Sequence, residues 1–345
     1  CALVDDGAGG LWCWGANGDG QVGVPDVGAA ATRPVRVALD GATDLSATVD
    51  HTCAISDGEA WCWGRNDFGQ AGNGEINVPQ REPGRVVGLA ANQVAVGAGD
   101  IVTCALDGEG AVRCFGSNYA GQLGVPAEST PGLVSAAPVL ADRAPAGVLE
   151  LLPGFATTCV RTAGEVYCWG LEGSEPAGVE PRLELAALVD PDGFAGAPGA
   201  LCFIEAGRLR CVGDALRLGQ GGPRTRLATT AVDGVDSAPS DLSMGFRFSC
   251  GVFPEPSFRA LCWGDNRFGQ LGQEDLEPRI GAVEVAFPER NPVLSVTAGY
   301  DHACATTQPF RDIVCWGRNN SGALGDGTTA DRIGLVETGI NVGSR

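Results

Sequence analysis

The sequence contains no lysine and only one methionine, and its basic residues are far fewer than its acidic ones. All 23 basic residues are arginine, which excludes Schiff-base lysines and the lysine of a phosphate-binding loop. The 42 acidic residues give a formal net charge of −19, which argues against nucleic acid or an anionic lipid surface as the main partner. No apolar run approaches the roughly 18 residues of a membrane-spanning helix, so we expect no membrane span.

Motifs of catalytic chemistry are also missing. There is no Gly-x-Ser-x-Gly elbow, phosphate loop or metalloprotease helix, so we expect no enzyme and no cofactor. His51 and His302 hold equivalent positions, in Asp-His-Thr-Cys and Asp-His-Ala-Cys, and we predict structural hydrogen-bonding roles for them. The acidic pairs Asp5–Asp6 and Glu274–Asp275 lie in turn-like stretches, where a weak Ca²⁺ site is left open.

Cysteine is abundant and regularly spaced. The 14 cysteines form seven close pairs that recur after 43 to 55 residues, which is the period of a repeat architecture. The pairs are Cys1 and Cys13, Cys53 and Cys62, Cys104 and Cys114, Cys159 and Cys168, Cys202 and Cys211, Cys250 and Cys262, and Cys304 and Cys315.

The spacing of the second cysteine pair predicts a β-hairpin. If Asp57-Gly58 is a two-residue turn, Cys53 faces Cys62 at a non-hydrogen-bonded position, where Cα atoms lie about 4.5 Å apart. Counting outward from a two-residue turn also places the cysteines of the fourth and fifth pairs opposite each other. The other four pairs need a wider loop or a bulge between their strands. We therefore predict seven cross-strand disulfides; free thiols and metal sites are the alternatives, although zinc-ligand spacing is absent. Disulfides predict an extracellular, periplasmic or cell-surface location.

Each repeat contains the same further features. A Gly-rich segment follows each second cysteine, as in Cys62-Trp-Gly-Arg-Asn66-Asp-Phe-Gly69-Gln70-Ala-Gly72, and is eroded in the fourth and fifth repeats. Two more strand-like runs follow, such as Pro34–Val37 and Thr43–Ala47, so that each repeat supplies four short strands. The tryptophan beside the cysteine is predicted to pack in the core.

These residues resemble the repeat of the regulator of chromosome condensation family. The match is carried by Trp263-Gly-Asp-Asn266-Arg-Phe-Gly269-Gln270-Leu-Gly272 and by Gly299-Tyr-Asp-His302-Ala-Cys-Ala305. The resemblance implies an all-β fold, a seven-bladed β-propeller of four-stranded blades, over residues 1–345 as one domain. It also implies chromatin binding and nucleotide exchange on a small GTPase, as in eukaryotic members.

The two ends of the chain match different strands of the repeat. Residues 1–24 and about 328–345 are predicted to close the propeller by sharing a blade, with two strands from each end. The alternative is a fragment of a longer repeat array. We expect a monomeric domain, and the composition rich in Arg, Ala and Gly suggests a bacterial source.

Variable positions inside the Gly-rich segments are the candidate partner-binding residues, namely Arg65, Asp67, Phe68, Tyr119, Arg267, Phe268, Arg318 and Asn320. Aromatic and arginine side chains gathered on one face would form a typical protein-binding surface. Alternatively, Phe68, Tyr119 and Phe268 pack between blades. The predicted function is a non-enzymatic, secreted or cell-surface propeller that binds a protein, as a scaffold, adhesin or inhibitor. The alternatives are a nucleotide-exchange regulator and a propeller that binds or cleaves glycans.

Overall fold

Short antiparallel strands joined by tight turns make up the computed structural model. It describes residues 1–4, 10–154, 157–163, 166–170, 194–197, 200–205, 208–213, 230–235, 237–254, 257–287, 292–308 and 312–341. The chain divides into two compact units. Unit 1 comprises Cys1–Ala30 and Val35–Ala187, and unit 2 comprises Ala31–Pro34 and Leu188–Arg345.

The first four sheets run from the N-terminus to residue 170, each with strands in simple antiparallel order. They are β1 (Ala2–Val4), β2 (Gly10–Ala16) and β3 (Ala30–Val37); β4 (Ala42–Ala47), β5 (His51–Ser56), β6 (Glu59–Gly64) and β7 (Gln80–Arg85); β8 (Gln93–Ala98), β9 (Val102–Asp107), β10 (Val112–Ser117) and β11 (Val134–Leu140); β12 (Glu150–Pro153), β13 (Thr157–Arg161) and β14 (Val166–Gly170). Two 3₁₀ turns, Ala127–Ser129 and Pro131–Leu133, precede β11.

Unit 2 contains three further sheets in the same order. They are β15 (Phe194–Ala197), β16 (Ala200–Glu205), β17 (Arg208–Gly213) and β18 (Thr230–Ala231); β19 (Asp241–Met244), β20 (Phe248–Phe253), β21 (Arg259–Gly264) and β22 (Arg279–Glu284); β23 (Val293–Ala298), β24 (His302–Thr307), β25 (Asp312–Gly317) and β26 (Arg332–Asn341).

The predicted all-β propeller class is confirmed, but the prediction of seven four-stranded blades is wrong. In the described residues, five sheets have four strands, whereas the sheets β1–β3 and β12–β14 have three. Residues 171–193, which follow β14, lie outside the described part of the chain.

The predicted closure by two strands from each end is also wrong. The C-terminal strand β26 pairs with β25 of its own repeat, with Cys315 opposite Val336 and Gly317 opposite Arg332. The reason lies in the loop between them, where the backbone N–H of Asn319 donates to the Asp331 carboxylate at 2.7 Å and brings the chain back beside its hairpin. Residues 342–345 lie outside the described residues.

All seven predicted disulfides are present. Their Cα atoms lie 3.9 to 4.1 Å apart, and no free cysteine remains. The predicted register of the second hairpin is confirmed, since Ser56 pairs with Glu59 and Cys53 with Cys62. The fourth and fifth hairpins likewise place Cys159 opposite Cys168 and Cys202 opposite Cys211.

The hydrophobic core lies between successive sheets. In unit 2, for example, Phe248 and Leu271 of one repeat pack with Val296, Ala303 and Trp316 of the next. Four of the five tryptophans that follow a second cysteine are buried as predicted, namely Trp63, Trp169, Trp263 and Trp316, whereas Trp14 is half-buried. Burial of such large side chains is the main stabilising contribution of each repeat.

Candidate functional site

In five repeats, the Gly-rich segment after the third strand folds around a buried asparagine, namely Asn17, Asn66, Asn118, Asn266 or Asn319. In the sixth repeat, Asn266 Oδ1 accepts the backbone N–H of Leu271 at 3.0 Å, while its Nδ2 donates to the carbonyl of Asp275 at 2.7 Å. The side chain of Gln270 accepts the backbone N–H of Phe268 at 2.9 Å. These bonds fix the loop and leave the side chains of residues 267 and 268 on its outer side, which is why those positions vary.

The same loop anchors the following repeat. The carbonyl of Gln270 accepts the indole N–H of Trp316 at 2.8 Å, and in unit 1 the carbonyls of Gln21 and Gln122 accept Trp63 and Trp169 at 3.0 Å. Gly269 permits the close approach, because it has φ +80° and a Cβ there would lie 2.7 Å from the Cα of Ile333. Asparagine, glutamine and tryptophan are therefore structural, and function is left to the positions between them.

Three of the predicted partner-binding residues come together in unit 2. The Arg318 guanidinium lies 4.7 Å from the ring centre of Phe268, and the Arg267 guanidinium lies 5.8 Å from it. Both distances are within the range of cation–π interactions. Phe268 is half-buried and Arg267 is exposed, with 57% of its side chain accessible.

Ion pairs hold both arginines in place. Arg318 Nη1 lies 2.9 Å from Asp301 Oδ2, and Arg267 Nη2 lies 2.7 Å from Asp265 Oδ2. Both carboxylates are largely buried, so each arginine is tethered at its inner side while its outer side faces solvent. Tethering reduces the rotamer entropy that these side chains would lose on binding.

A stacked pair of aromatic rings continues this surface. Phe246 and Tyr300 lie 4.2 Å apart between ring centres, with 9° between their planes. Tyr300 adjoins Asp301, whose carbonyl accepts the backbone N–H of Arg318 at 3.0 Å. Phe246, Arg267, Phe268, Tyr300 and Arg318 are called the aromatic–arginine surface below.

The remaining predicted residues are arranged differently. In unit 1, Arg65 bridges Asp67 and Asp50 with distances of 2.6 and 2.9 Å, and the hydrogen bonds that it donates to these carboxylates raise its pKa. Phe68 is half-buried and Tyr119 is 41% exposed. In unit 2, Asn320 is exposed beside the buried Asn319. Arg65 and Asp67 thus form one cluster, and Arg267, Phe268 and Arg318 form another.

Phe246 and Tyr300 were not among the predicted residues. Each lies two residues before the histidine position of its repeat. The equivalent residues of the second and third repeats are Val49 and Asp100. Alignment of the repeats at their first cysteine would have shown aromatic residues recurring there.

His51 has the structural role that was predicted for the histidines. Its Nε2 lies 2.8 Å from the hydroxyl of Thr103, and its Nδ1 lies 3.2 Å from the hydroxyl of Thr48. Burial lowers the pKa of His51 to about 4. His302 is half-buried, with its ring against Gly299.

The Glu274–Asp275 pair is occupied by protein donors. Asp275 accepts the backbone N–H of Glu277 at 2.9 Å and pairs with Arg279 at 2.6 Å, and these bonds lower its pKa. Asp5–Asp6 lies outside the described residues. Within the described part of the chain, no group of three or more His, Cys, Asp or Glu side chains is placed to hold a metal ion.

Comparison with known proteins agrees with this geometry. Residues 8–55, 57–106 and 259–306 match the model of the regulator of chromosome condensation (RCC1) repeat, and a second model of that repeat matches residues 42–70. The chain carries RCC1 repeats. The matched segments include the asparagine–glutamine loops of the first, second and sixth repeats.

Two curated relatives are similar in sequence. The ultraviolet-B receptor UVR8 of Arabidopsis thaliana is 27% identical over 339 residues, covering 92% of this chain and 75% of the receptor. The human E3 ubiquitin-protein ligase HERC2 is 25% identical over 252 residues, covering 69% of this chain and only 5% of the ligase.

Two solved structures are similar over most of the chain. Human WBSCR16 has a TM-score of 0.81 at 20% identity, covering 96% of this chain and 94% of that one. Prp20p of Saccharomyces cerevisiae has a TM-score of 0.76 at 16% identity, covering 95% and 85%. These similarities confirm the propeller fold. Among the described residues, no helix is long and apolar enough to cross a membrane.

Proposed function

We propose that this protein is a non-enzymatic propeller that binds a partner protein through the aromatic–arginine surface of unit 2. The observation that carries the proposal is the half-exposed ring of Phe268 between two arginines, each tethered by a buried aspartate. Exposed, preorganised aromatic and arginine side chains contribute most to protein-binding energy.

Two of the similar proteins support a binding role. Prp20p is described with binding properties toward Gsp1p and histones, and UVR8 is described as a receptor. Both statements concern those proteins, but they are consistent with a fold that presents loops to macromolecules. The −19 charge of this chain favours a protein over nucleic acid as its partner.

The proposed location is extracellular or at the cell surface. Seven intrachain disulfides are typical of proteins that fold in an oxidising compartment. Extracellular binding as an inhibitor or adhesin is therefore favoured over nucleotide exchange on a cytosolic or nuclear GTPase.

A glycan-binding propeller is less well supported. Such a site needs exposed tryptophan rings as stacking platforms. All seven tryptophans fall within the described residues, and each is buried or half-buried.

The test is comparative capture from the native extracellular medium, with quantitative mass spectrometry. Immobilised wild-type protein is compared with Phe268→Ala and Arg318→Gln, and with Ile280→Ala, which changes an apolar side chain that is 53% exposed on β22. We expect specific partners to be lost from both surface variants and kept by Ile280→Ala. Identical capture by all four proteins, each with an unchanged melting temperature, would contradict the proposal.

A further inference from the structure

In the sixth repeat, which lies in unit 2, an arginine and an aspartate have exchanged the positions that they hold in two other repeats. The two positions are joined by a backbone hydrogen bond: the residue after Trp-Gly donates its N–H to the carbonyl of the residue before the histidine position. The N–H donors are Arg65, Asp265 and Arg318, and the corresponding acceptors are Asp50, Arg247 and Asp301, at 2.8, 2.9 and 3.0 Å. In two repeats an aspartate thus faces an arginine; in the sixth repeat an arginine faces an aspartate.

Because of this exchange, the side chain of Arg247 has no ion-pair partner among the described residues. Asp50 and Asp301 each form an ion pair with the facing arginine at 2.9 Å. Asp265 instead pairs with Arg267, two residues further along its own loop. Among the described residues, none forms an ion pair or a side-chain hydrogen bond with the half-buried guanidinium of Arg247.

This cation adjoins the aromatic–arginine surface. Arg247 follows Phe246, which stacks on the 43% exposed ring of Tyr300, and its carbonyl is bonded to the loop that carries Arg267. The charged side chains at the two facing positions of the sixth and seventh repeats, together with Arg267, are three arginines, at 247, 267 and 318, and two aspartates, at 265 and 301. The surface therefore has a local excess of positive charge on a chain whose net charge is −19.

We infer that the occupant of this surface is a short acidic segment of the partner protein, with a carboxylate bound by Arg247 and an adjoining apolar or aromatic side chain against Tyr300. A guanidinium binds a carboxylate through two parallel hydrogen bonds, and an unpaired, half-buried guanidinium gains most from such a ligand. The acidic remainder of the molecule repels long polyanions, which favours a short segment over nucleic acid or a sulfated glycan. The inference rests on the proposed protein-binding role of this surface.

The test uses an array of short synthetic peptides in which the numbers of glutamate, lysine and tryptophan residues are varied independently. Each acidic peptide has a counterpart with every glutamate replaced by glutamine. The probes are the intact wild-type protein and the variants Arg247→Gln, Tyr300→Ala and Arg259→Gln. Arg259 is the matched control, because it carries the same charge at the opposite end of the same hairpin. Arg247 adjoins the end at which Phe248 pairs with Gly264, whereas Arg259 pairs with Phe253 at the other end.

We expect peptides with both glutamate and tryptophan to bind best and their glutamine counterparts to bind at least about tenfold more weakly, as for a lost charge-assisted hydrogen bond. Arg247→Gln should weaken binding of the glutamate peptides by a similar factor while leaving the glutamine peptides unchanged, and Arg259→Gln should match the wild type. Binding should also weaken between about 0.1 M and about 1 M salt, where the Debye length falls from about 10 Å to about 3 Å.

Other outcomes separate the two proposals. Binding that depends on Tyr300 but not on glutamate or Arg247 would overturn the acidic-segment inference and leave the protein-binding surface standing. If no peptide binds in a Tyr300-dependent way and capture from native medium is also unaffected by Phe268→Ala, both proposals are wrong. Arg247-dependent binding of heparin without binding of glutamate peptides would identify a sulfated glycan instead and overturn the inference.

Discussion

His51 lies in a chain of hydrogen bonds that places a proton on one of its ring nitrogens. The Thr103 hydroxyl donates to the carbonyl of Gln70 at 2.8 Å, so it accepts from His51 Nε2–H. The Thr48 hydroxyl lies 3.2 Å from both the other ring nitrogen, Nδ1, and the carbonyl of His51. Burial, rather than these hydrogen bonds, disfavours a second proton on the ring. This arrangement is a structural role with a measurable pH dependence.

We predict that His51 makes the folded state sensitive to mild acid. Because burial lowers its pKa from 6.5 to about 4, the unfolded chain takes up the proton first as the pH falls. The stability that His51 contributes is complete above about pH 6.5 and is lost as the pH falls towards about 4, by about 3 kcal/mol in total. Urea unfolding at pH 7 and pH 4.5 measures this change.

The control is the variant His51→Gln, which lacks the titrating group. Its free energy of unfolding should be lower at pH 7 but should fall less between pH 7 and pH 4.5 than that of the wild type. Glu75→Gln, at an exposed position, should keep the wild-type slope. Equal slopes for His51→Gln and the wild type would show that this histidine is not the origin of the acid sensitivity.

At the scale of the element, the asparagine-centred loop determines where the candidate surface lies. We predict that Asn266→Ala lowers the free energy of unfolding by about 1 to 3 kcal/mol, because the buried N–H of Leu271 and the Asp275 carbonyl lose their partner. Chemical denaturation measures the loss. Asn320→Ala, at an exposed position, should stay within about 0.5 kcal/mol of the wild type. Similar losses in both variants would contradict the structural role of the asparagine.

The link between repeats gives a second prediction at this scale. Trp316 donates its indole N–H to Gln270, whereas no residue in the described part of the chain accepts the indole N–H of the equally buried Trp263. Phenylalanine at either position removes ring volume, but only Trp316→Phe also removes a hydrogen bond. We expect Trp316→Phe to be the more destabilising by about 1 kcal/mol. Equal free energies of unfolding for the two variants would mean that this bond contributes nothing.

Local features of this molecule were predictable, and features that depend on which segments become neighbours were not. The pairing of Cys53 with Cys62 follows from counting outward from one turn, and the structure agrees. The partner of the C-terminal strand depends on how a loop returns the chain, and the repeat pattern alone placed Arg332–Asn341 in the wrong sheet.

The candidate surface also has some features that the local sequence predicts and others that depend on which segments become neighbours. The loop positions of Phe268 and Arg318 could be found from the repeat, because they vary between structural residues that recur in most of the repeats. Arg247 and Tyr300 belong to different turns, and their significance depends on a missing ion pair and a ring stack that only the folded chain shows. For the molecule as a whole, sequence reasoning therefore located the candidate loops but not the side-chain contacts between them.

The seven disulfides differ in access to solvent, which predicts an order of reduction for the whole molecule. Four have both cysteines fully buried, namely Cys53–Cys62, Cys104–Cys114, Cys202–Cys211 and Cys250–Cys262. The other three include one half-buried cysteine each, at Cys1, Cys159 and Cys304. A thiolate must reach a sulfur atom to reduce it, so we expect these three bonds to open first in the native protein. Pulses of dithiothreitol, followed by alkylation and peptide mapping, measure the order.

The control repeats the pulses in denaturant, where the protection given by the folded sheets is removed and all seven bonds should open together. Early labelling of Cys53 or Cys62 in the native protein would show that burial does not protect these bonds. Each disulfide that closes a short loop of about 10 residues contributes about 2 to 3 kcal/mol to stability. A molecule that keeps its four buried disulfides after losing three should remain folded in a mildly reducing medium, because opening those bonds requires the sheets themselves to separate.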